Sequence, residues 1–319
     1  MAPSITSVQA ITLEMIQPRL ADNVFLANPT AAFLLQQGRV EVVDGSRYIQ
    51  KPLMYTTNTT AKTYSGYDTL DTTAQEELTA VQYNWRQMAV SASISGLEEM
   101  QNSGSFAKLS LWSSKLKVAE QSLQQLLDYQ LHVSYLSKGA KDWLGLDEFV
   151  DDTATPIGTV GGISRNTESW WRNKVITTGT LTTQTQDMRR LYNLCSEGNR
   201  HPDYITCPYP LYENYENQNA GKQRISNVAM LDAGFENLMF KGATMVPNRN
   251  CIGGDSTTGP WNLYMLTSEF LTLTIHRDRN FAMRQPQQPI NQDATVSFIL
   301  LGGNATLNNS RFQGVLVVN

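Results

Sequence analysis

The chain has 319 residues, a formal net charge of -4 and a hydrophobic share of 41%, enough apolar material for a real core, which excludes wholesale disorder. The mild negative charge and the lack of a Lys/Arg cluster exclude a tight nucleic-acid binder: Arg277 and Arg279 alternate with Asp278, and Arg189-Arg190 is only a pair. No run approaches the ~20 apolar residues of a spanning helix, and Met1 to Ala10 lacks the charged start and apolar run of a signal peptide.

Val8, Ile11, Met15 and Ile16 recur at helical spacing until Pro18 stops the pattern. A second short helix is expected from Pro29 to Gln37, with Asn28 as its cap, Pro29 at the first helical position and Gly38 at its end. Such an arm cannot form its own core and must pack on something else. Arg39 to Tyr55 reads as strand, with Pro52 confining it to an edge or a bulge. Thr56 to Glu77 is polar and cannot be buried; it is either a flexible loop or the tip of a long projecting hairpin. On the return strand Val81, Tyr83 and Trp85 are apolar at odd positions, whereas Met88, Val90, Ala92 and Ile94 are apolar at even ones. The phase of this period-two pattern flips near Arg86-Gln87. That predicts a bulge, or a strand that leaves one packing environment and enters another.

The strongest helix follows. Leu109, Leu116 and Leu123 alternate with Trp112, Ala119 and Leu126, Ser103 or Ser105 caps the start, and Gly139 ends it. At ~1.5 Å per residue it would span roughly 50 Å, as long as the molecule is wide. Trp143 to Trp261 reads as a separate α/β region, with a Gly-rich turn at Gly158 to Gly162, a helix from Gln184 to Ser196 and a buried strand from Tyr204 to Cys207. Leu211 to Tyr215 reads as a further helical turn, and Phe240 to Val246 as turn and strand. The end is strand-rich: Leu271, Leu273 and Ile275 alternate, as do Val296, Phe298 and Leu300, and Val315 to Val318 closes the chain.

No constellation carries chemistry. Gly158 to Gly162 lacks the Lys-Ser/Thr of a phosphate loop and reads as a structural turn. Asp147, Glu148, Asp151 and Asp152 lack the spacing of a calcium loop and read as a solvated face or a helix N-terminus. Cys195, Cys207 and Cys251 are three, an odd number without tight spacing, so a disulfide framework is not expected and synthesis in a reducing cytoplasm is. Cys195, His201 and Cys207 make no zinc set, and His132 and His276 are the only other histidines. Cys195 falls on the apolar face of its helix and reads as a buried structural thiol. No catalytic, cofactor-binding or metal-binding residue is therefore assigned, and no cofactor is expected. The charged share is 17%, against about 25% in typical soluble domains, with Thr, Asn, Gln and Ser in its place. Contact surfaces between chains are likewise depleted of Lys, Glu and Asp.

Four stretches in fixed order resemble the major capsid proteins of tailed bacteriophages with the Hong Kong 97 type fold. They are Gly158 to Asn166 running to Trp170-Trp171-Arg172-Asn173; Met188 to Tyr192 with His201-Pro202-Asp203; Gly234 to Ala243; and His276 to Phe281 followed by Gln292-Asp293-Ala294. The resemblance covers roughly residues 145 to 319 by motif and the first 144 by layout. It implies an α+β coat fold: an N-terminal arm (1–38), a long E-loop hairpin (39–80), a peripheral domain with a spine helix and sheet (81–145 and 265–319) and an α/β axial domain (146–264). It also implies a structural protein, not an enzyme, that self-assembles into hexamers and pentamers of an icosahedral phage head enclosing double-stranded DNA.

Arm and hairpin would then lie across neighbouring subunits. The expected partners are other copies of the chain, a separate scaffolding protein (the arm begins almost at Met1, leaving no room for a built-in segment), a portal, and DNA contacted weakly and without sequence specificity; no membrane is involved. The product would be made in the bacterial host cytoplasm and end in the virion. Some members cross-link neighbours from an E-loop Lys to a peripheral Asn, for which Lys62 and Asn304, Asn308 or Asn309 are the candidates. An encapsulin-like compartment shell shares these features, and a cytosolic hydrolase with a site near the acidic cluster is the alternative from another class.

Overall fold

The computed structural model describes residues 28–101, 105–219, 238–254, 256 and 258–319, and the side chains among them except at 101 and 105–110. The helix expected over Val8 to Ile16 lies outside the described residues, as do residues 234–237 of the stretch ending at Ala243.

Helix α1 (Pro29–Gln36) starts where expected: the Asn28 side chain accepts the Ala31 N–H at 3.0 Å, and Gly38 ends the turn in the left-handed region. The expected single strand is two. β1 (Val40–Val43) and β2 (Ile49–Met54) are separated by a bend at Gly45, whose φ of +115° suits glycine. β2 pairs antiparallel with β3 (Leu78–Tyr83), from Ile49 opposite Tyr83 to Met54 opposite Leu78, so Thr56 to Glu77 is the tip of a hairpin. Pro52 sits in this two-stranded ladder, where every strand is an edge. β3 ends at Tyr83, so the boundary expected between 80 and 81 falls inside it.

The chain then enters β4 (Arg86–Ser95), which joins a different sheet. Val81 and Tyr83 on the hairpin strand and Met88, Ala92 and Ile94 on the main-sheet strand bury into the same core, but from strands of two different sheets separated by Asn84 and Trp85. The phase flip therefore records a strand passing from the hairpin into the main sheet. After α2 (Gly96–Gln101), the spine helix α3 (Ser105–His132) lies on β4. Its buried stripe runs Trp112, Leu116, Ala119, Leu123, Leu127 and Leu131, with Leu126 only partly buried. The drift from 126 to 127 is the 3.6-residue period of a straight helix on a sheet, not a coiled-coil seam.

The helix is shorter than expected. Its 28 residues span ~42 Å, and it ends at His132 instead of Gly139. Asp147, far along the chain, accepts the Ser134 hydroxyl at 3.0 Å and the Tyr135 N–H at 2.8 Å and draws that segment out of the helix.

The next segment carries α4 (Leu146–Phe149), the two-residue strands β5 (Thr159–Val160) and β6 (Ile163–Ser164), β7 (Lys174–Thr178) and α5 (Gln184–Cys195). β8 (Tyr204–Cys207), α6 (Tyr209–Gln218), β9 (Leu238–Phe240), β10 (Ala243–Pro247) and β11 (Trp261–Leu266) follow. The tail holds β12 (Leu271–His276), β13 (Ala282–Met283), β14 (Ala294–Leu307) and β15 (Gly314–Val318).

Two larger sheets organise these. In the five-stranded sheet β14 pairs with β4 along one edge and with β13 and β12 along the other, and β1 adds in parallel to β12. The six-stranded sheet runs β7-β15-β11-β8-β10-β9. Tyr204, Val246, Tyr264, Leu266, Val315 and Val317 face the core shared with the spine helix. Ile205, Met245, Leu263, Met265, Leu316 and Val318 face α5 and α6. Both faces are covered, so β8, β11 and β15 are buried at every residue. β15 thus belongs with 174–266 in sheet pairing, although its position suggested the peripheral part, and β1 lies in the main sheet and not in the hairpin. Strand periodicity carries no information about the pairing partner.

Candidate assembly surfaces

The hairpin carries the first surface. Its ladder ends at Met54 and Leu78, 68% and 74% exposed, and beyond them Tyr64, Tyr67 and Leu70 are also exposed. The tip is held by its own polar bonds. Asn58 Oδ1 accepts the N–H and hydroxyl of Thr60 at 2.8 and 2.6 Å, Asp68 accepts the Ser65 N–H at 2.8 Å, and Thr59 Oγ1 donates to Gln75 at 3.0 Å. Asp71 accepts the Thr73 hydroxyl and N–H, and these bonds hold its carboxyl below the usual range. A polar frame that orders exposed apolar side chains is a preorganised contact, since little ordering cost is left for binding.

The second surface is the outer face of the five-stranded sheet. On β14, Thr295, Ser297, Ile299 and Leu301 point toward the spine helix, so the apolar set Val296, Phe298 and Leu300 points the other way. Cross-strand neighbours on that face are Ser93, Ser91 and Ala89. On the β13 side Ala282 lies opposite Leu300 and the exposed Arg284 beside Phe298, so the patch is apolar with one cation at its border and Phe298 46% exposed. The alternation was legible in the sequence; which member faces water was not.

The arm is fixed by a buried polar joint. Thr30, Ala31, Phe33 and Leu34 are buried on their own chain, and Phe33 stacks on Tyr204 at 4.5 Å. Thr30 Oγ1 lies 2.8 Å from His132 Nε2 and 3.1 Å from the Tyr204 hydroxyl. His132 Nδ1 faces the Asp128 carbonyl at 2.9 Å, which can only accept; Nδ1 therefore carries a proton, and in the neutral ring Nε2 accepts from Thr30. Burial pushes the Asp128 carboxyl up, but His132, Asn250 and Asn248 outweigh it and hold it below the usual range. This joint ties α1, the spine helix and the six-stranded sheet together. Its one sequence signal was a histidine near a helix end.

The residues weighed for chemistry are engaged structurally. Asp147 and Glu148 open α4, the helix N-terminus expected, though Asp147 is buried and not on a solvated face. Burial pushes the Asp147 carboxyl up against its bonds to Tyr135, Ser134 and Tyr264. Glu148 accepts the Gly145 N–H at 2.7 Å, Asp151 accepts from Thr153 and Ile157, and Asp152 accepts from Asn262. Each carboxylate is directed to its own donor, and among the described residues no metal-holding group of His, Cys, Asp and Glu forms. Cys195, Cys207 and Cys251 are free and buried; burial pushes Cys195 and Cys251 up to about 12 and Cys207 well up, so all three stay protonated near neutrality. His201 is exposed and stacks on Tyr192, away from any thiol contact. Gly158 to Gly162 holds β5 and the two-residue turn Gly161-Gly162 that joins it to β6. Lys62 lies on the exposed tip and donates to the Thr69 carbonyl. Asn304 is buried, its amide spent on Leu144 N–H and the Asn84 carbonyl.

No protein-family model and no curated protein sequence matches the chain. Solved structures do. The capsid of cyanophage A-1(L) is 12% identical, with a TM-score of 0.57 over 87% of this chain and 89% of that one. The capsid of a native GTA particle is 7% identical, with a TM-score of 0.58 over 89% and 90%. The SrpI encapsulin of Synechococcus elongatus is 10% identical, with a TM-score of 0.50 over 76% of each chain. At these identities the similarity is one of fold, over nearly nine-tenths of the chain: the chain has the phage coat-protein fold of the Hong Kong 97 type.

Proposed function

We propose that the chain is the major coat protein of a phage head, assembling with copies of itself into hexamers and pentamers that close into an icosahedral shell around double-stranded DNA. The observation that carries this reading is the projecting hairpin. It places ordered apolar side chains in solvent, away from both cores, where only another molecule can cover them. The outer face of the five-stranded sheet is a second surface of that kind, and a heterologous pairing of two different surfaces generates a ring when the rotation between subunits closes. The role is structural and not enzymatic, and the virion is the site of action. In this reading residues 39–83 act as the E-loop apart from β1, the five-stranded sheet and spine helix form the peripheral domain, and the six-stranded sheet, including β15, forms the axial domain. A separate scaffolding protein and a portal complete the assembly, and weakly charged walls let DNA pack without sticking. The encapsulin similarity makes a cargo-loading compartment the second reading; nucleic acid extracted from purified particles separates the two.

Multi-angle light scattering and electron microscopy of the purified full-length chain test the proposal. Capsomers or closed particles are expected. A monomer or dimer that persists at high concentration and in the presence of its genomic neighbours' products overturns it.

A further inference from the structure

We infer that the β5–β6 turn and Trp170 form a bracket that fixes the direction of the hairpin, and with it the angle at which one subunit meets the next; the second half of this statement rests on the shell reading. The hairpin is fastened at two points along its stem. At the base, Gln82 N–H donates to the Gly161 carbonyl at 2.9 Å. Gly161 is left-handed, with φ +60°, and a Cβ there would lie 2.8 Å from Val81 Cβ and 3.0 Å from the Tyr83 hydroxyl, so the bare turn sits directly on the strand. The turn is itself rigidly held: Trp171 Nε1 donates to the Val160 carbonyl at 3.1 Å, and Arg165 N–H donates to the Gly158 carbonyl at 2.8 Å. At the outer end, the Tyr55 ring lies 5.3 Å from Trp170, which is steadied by its indole N–H on Glu168 at 2.6 Å and by the edge of Trp171 at 5.8 Å.

Trp170 stands between two open clefts. One, of about 490 Å³, separates Leu78 and Thr79 from Gly162 and Ile163. The other, of about 480 Å³, separates Leu53 and Met54 from Arg200 and Phe312. The stem thus rests on a ridge with space to either side. Without the ridge it can rock about the Gly161 contact. Met54 lies four residues, ~14 Å, beyond the Gln50–Gln82 pair at this contact, so a rotation of ~12° moves it by roughly 3 Å. A gap of ~0.5–1 Å already forfeits a quarter to a half of a packing contact, so the fit of the next subunit is lost. Tyr55 and Trp170 act here as positioning residues.

The test uses the full chain with nitroxide labels at L78C and K117C, one on the stem and one on the spine helix, measured by pulsed dipolar spectroscopy. The native cysteines are buried and do not take label. One narrow distance distribution is expected for the parent. In Tyr55→Ala and in Trp170→Ala it should broaden or shift by about 3 Å, with no further change in the double variant, and Tyr55→Phe should keep the parent distribution. Tyr55 belongs to neither core, so Tyr55→Ala should melt near the parent, whereas Trp170 packs against the main core and its alanine variant should melt lower; Tyr55→Ala therefore carries the comparison at unchanged stability. Particles of the two alanine variants should lose their uniform diameter. Unchanged distances in both variants overturn the bracket; broadened distances with parent-like particle diameters overturn its role in assembly. If the unsubstituted chain forms neither capsomers nor particles even with its genomic neighbours' products present, the shell reading fails, and the spectroscopic comparison still decides the bracket.

Discussion

Phe298→Lys separates folding from assembly. Phe298 is 46% exposed on the outer sheet face, its ring directed away from the spine helix. A phenylalanine side chain presents about 200 Å² when free, so about 90 Å² remain open to a partner. At ~25 cal/mol per Å² that area is worth about 2.3 kcal/mol for each contact that covers it, roughly a 40-fold loss in association when removed. A lysine there adds the cost of an unpaired ammonium taken out of water, several kcal/mol more. In the free subunit the rest of the side chain, about 110 Å², already lies on its own sheet, and a lysine stem keeps part of that contact, so folding stability should fall by about 1–2 kcal/mol, less than the loss in association. Thermal melting of the subunit and sedimentation velocity of the assembly read the two quantities separately. A modestly lowered melting temperature, with a subunit still folded at the assay temperature, and loss of particles are expected. Normal particles from the lysine variant would show that nothing covers this face, and an unfolded subunit would show that it is part of the core.

Leu123→Ala should cost about 2–5 kcal/mol in urea unfolding, because Leu123 is fully buried where the spine helix meets the sheet. A loss under ~1 kcal/mol would mean that this interface repacks freely. Thr30→Val leaves His132 Nε2 and the Tyr204 hydroxyl without their shared partner, at about 1–3 kcal/mol, and amide exchange should quicken first in α1; exchange that stays at the parent rate would refute the joint. Burial raises the Asp147 carboxyl above its unfolded value, so the folded state retains a proton that the unfolded chain has lost. Stability from this group therefore falls as pH rises from the unfolded pKa through the raised folded one. Asp147→Asn should flatten that slope in urea midpoints measured from about pH 4 to pH 7, leaving a remainder from Asp203, which burial also raises. An unaltered slope would show that Asp147 titrates as it does unfolded.

Local chemistry was readable along the chain. Asn28, Pro29 and Gly38 bound α1 because capping and a left-handed end are decided within one turn of backbone. The flip at Arg86-Gln87 was readable because side-chain direction in a strand alternates strictly, so a change of phase means a bulge or a break between strands, and the structure shows the break between β3 and β4. The spine stripe from Trp112 to Leu123 followed from helical periodicity in the same way.

What was not legible depends on residues far apart in sequence. The spine helix ends at His132 because Asp147 and Thr30 meet it there, and neither partner can be inferred from the helix itself. β1 and β15 read as strands, yet pairing in parallel with β12 and β7 is set by backbone hydrogen bonds that any strand can offer to any other. The two candidate surfaces divide along the same line. The sequence alone determined that Thr56 to Glu77 must reach into solvent, since it has too little apolar surface to be buried. Only the tertiary structure decided that Val296, Phe298 and Leu300 do so as well, because an alternating strand states that one face is apolar, and the packing of the spine helix on the opposite face is what leaves that one uncovered.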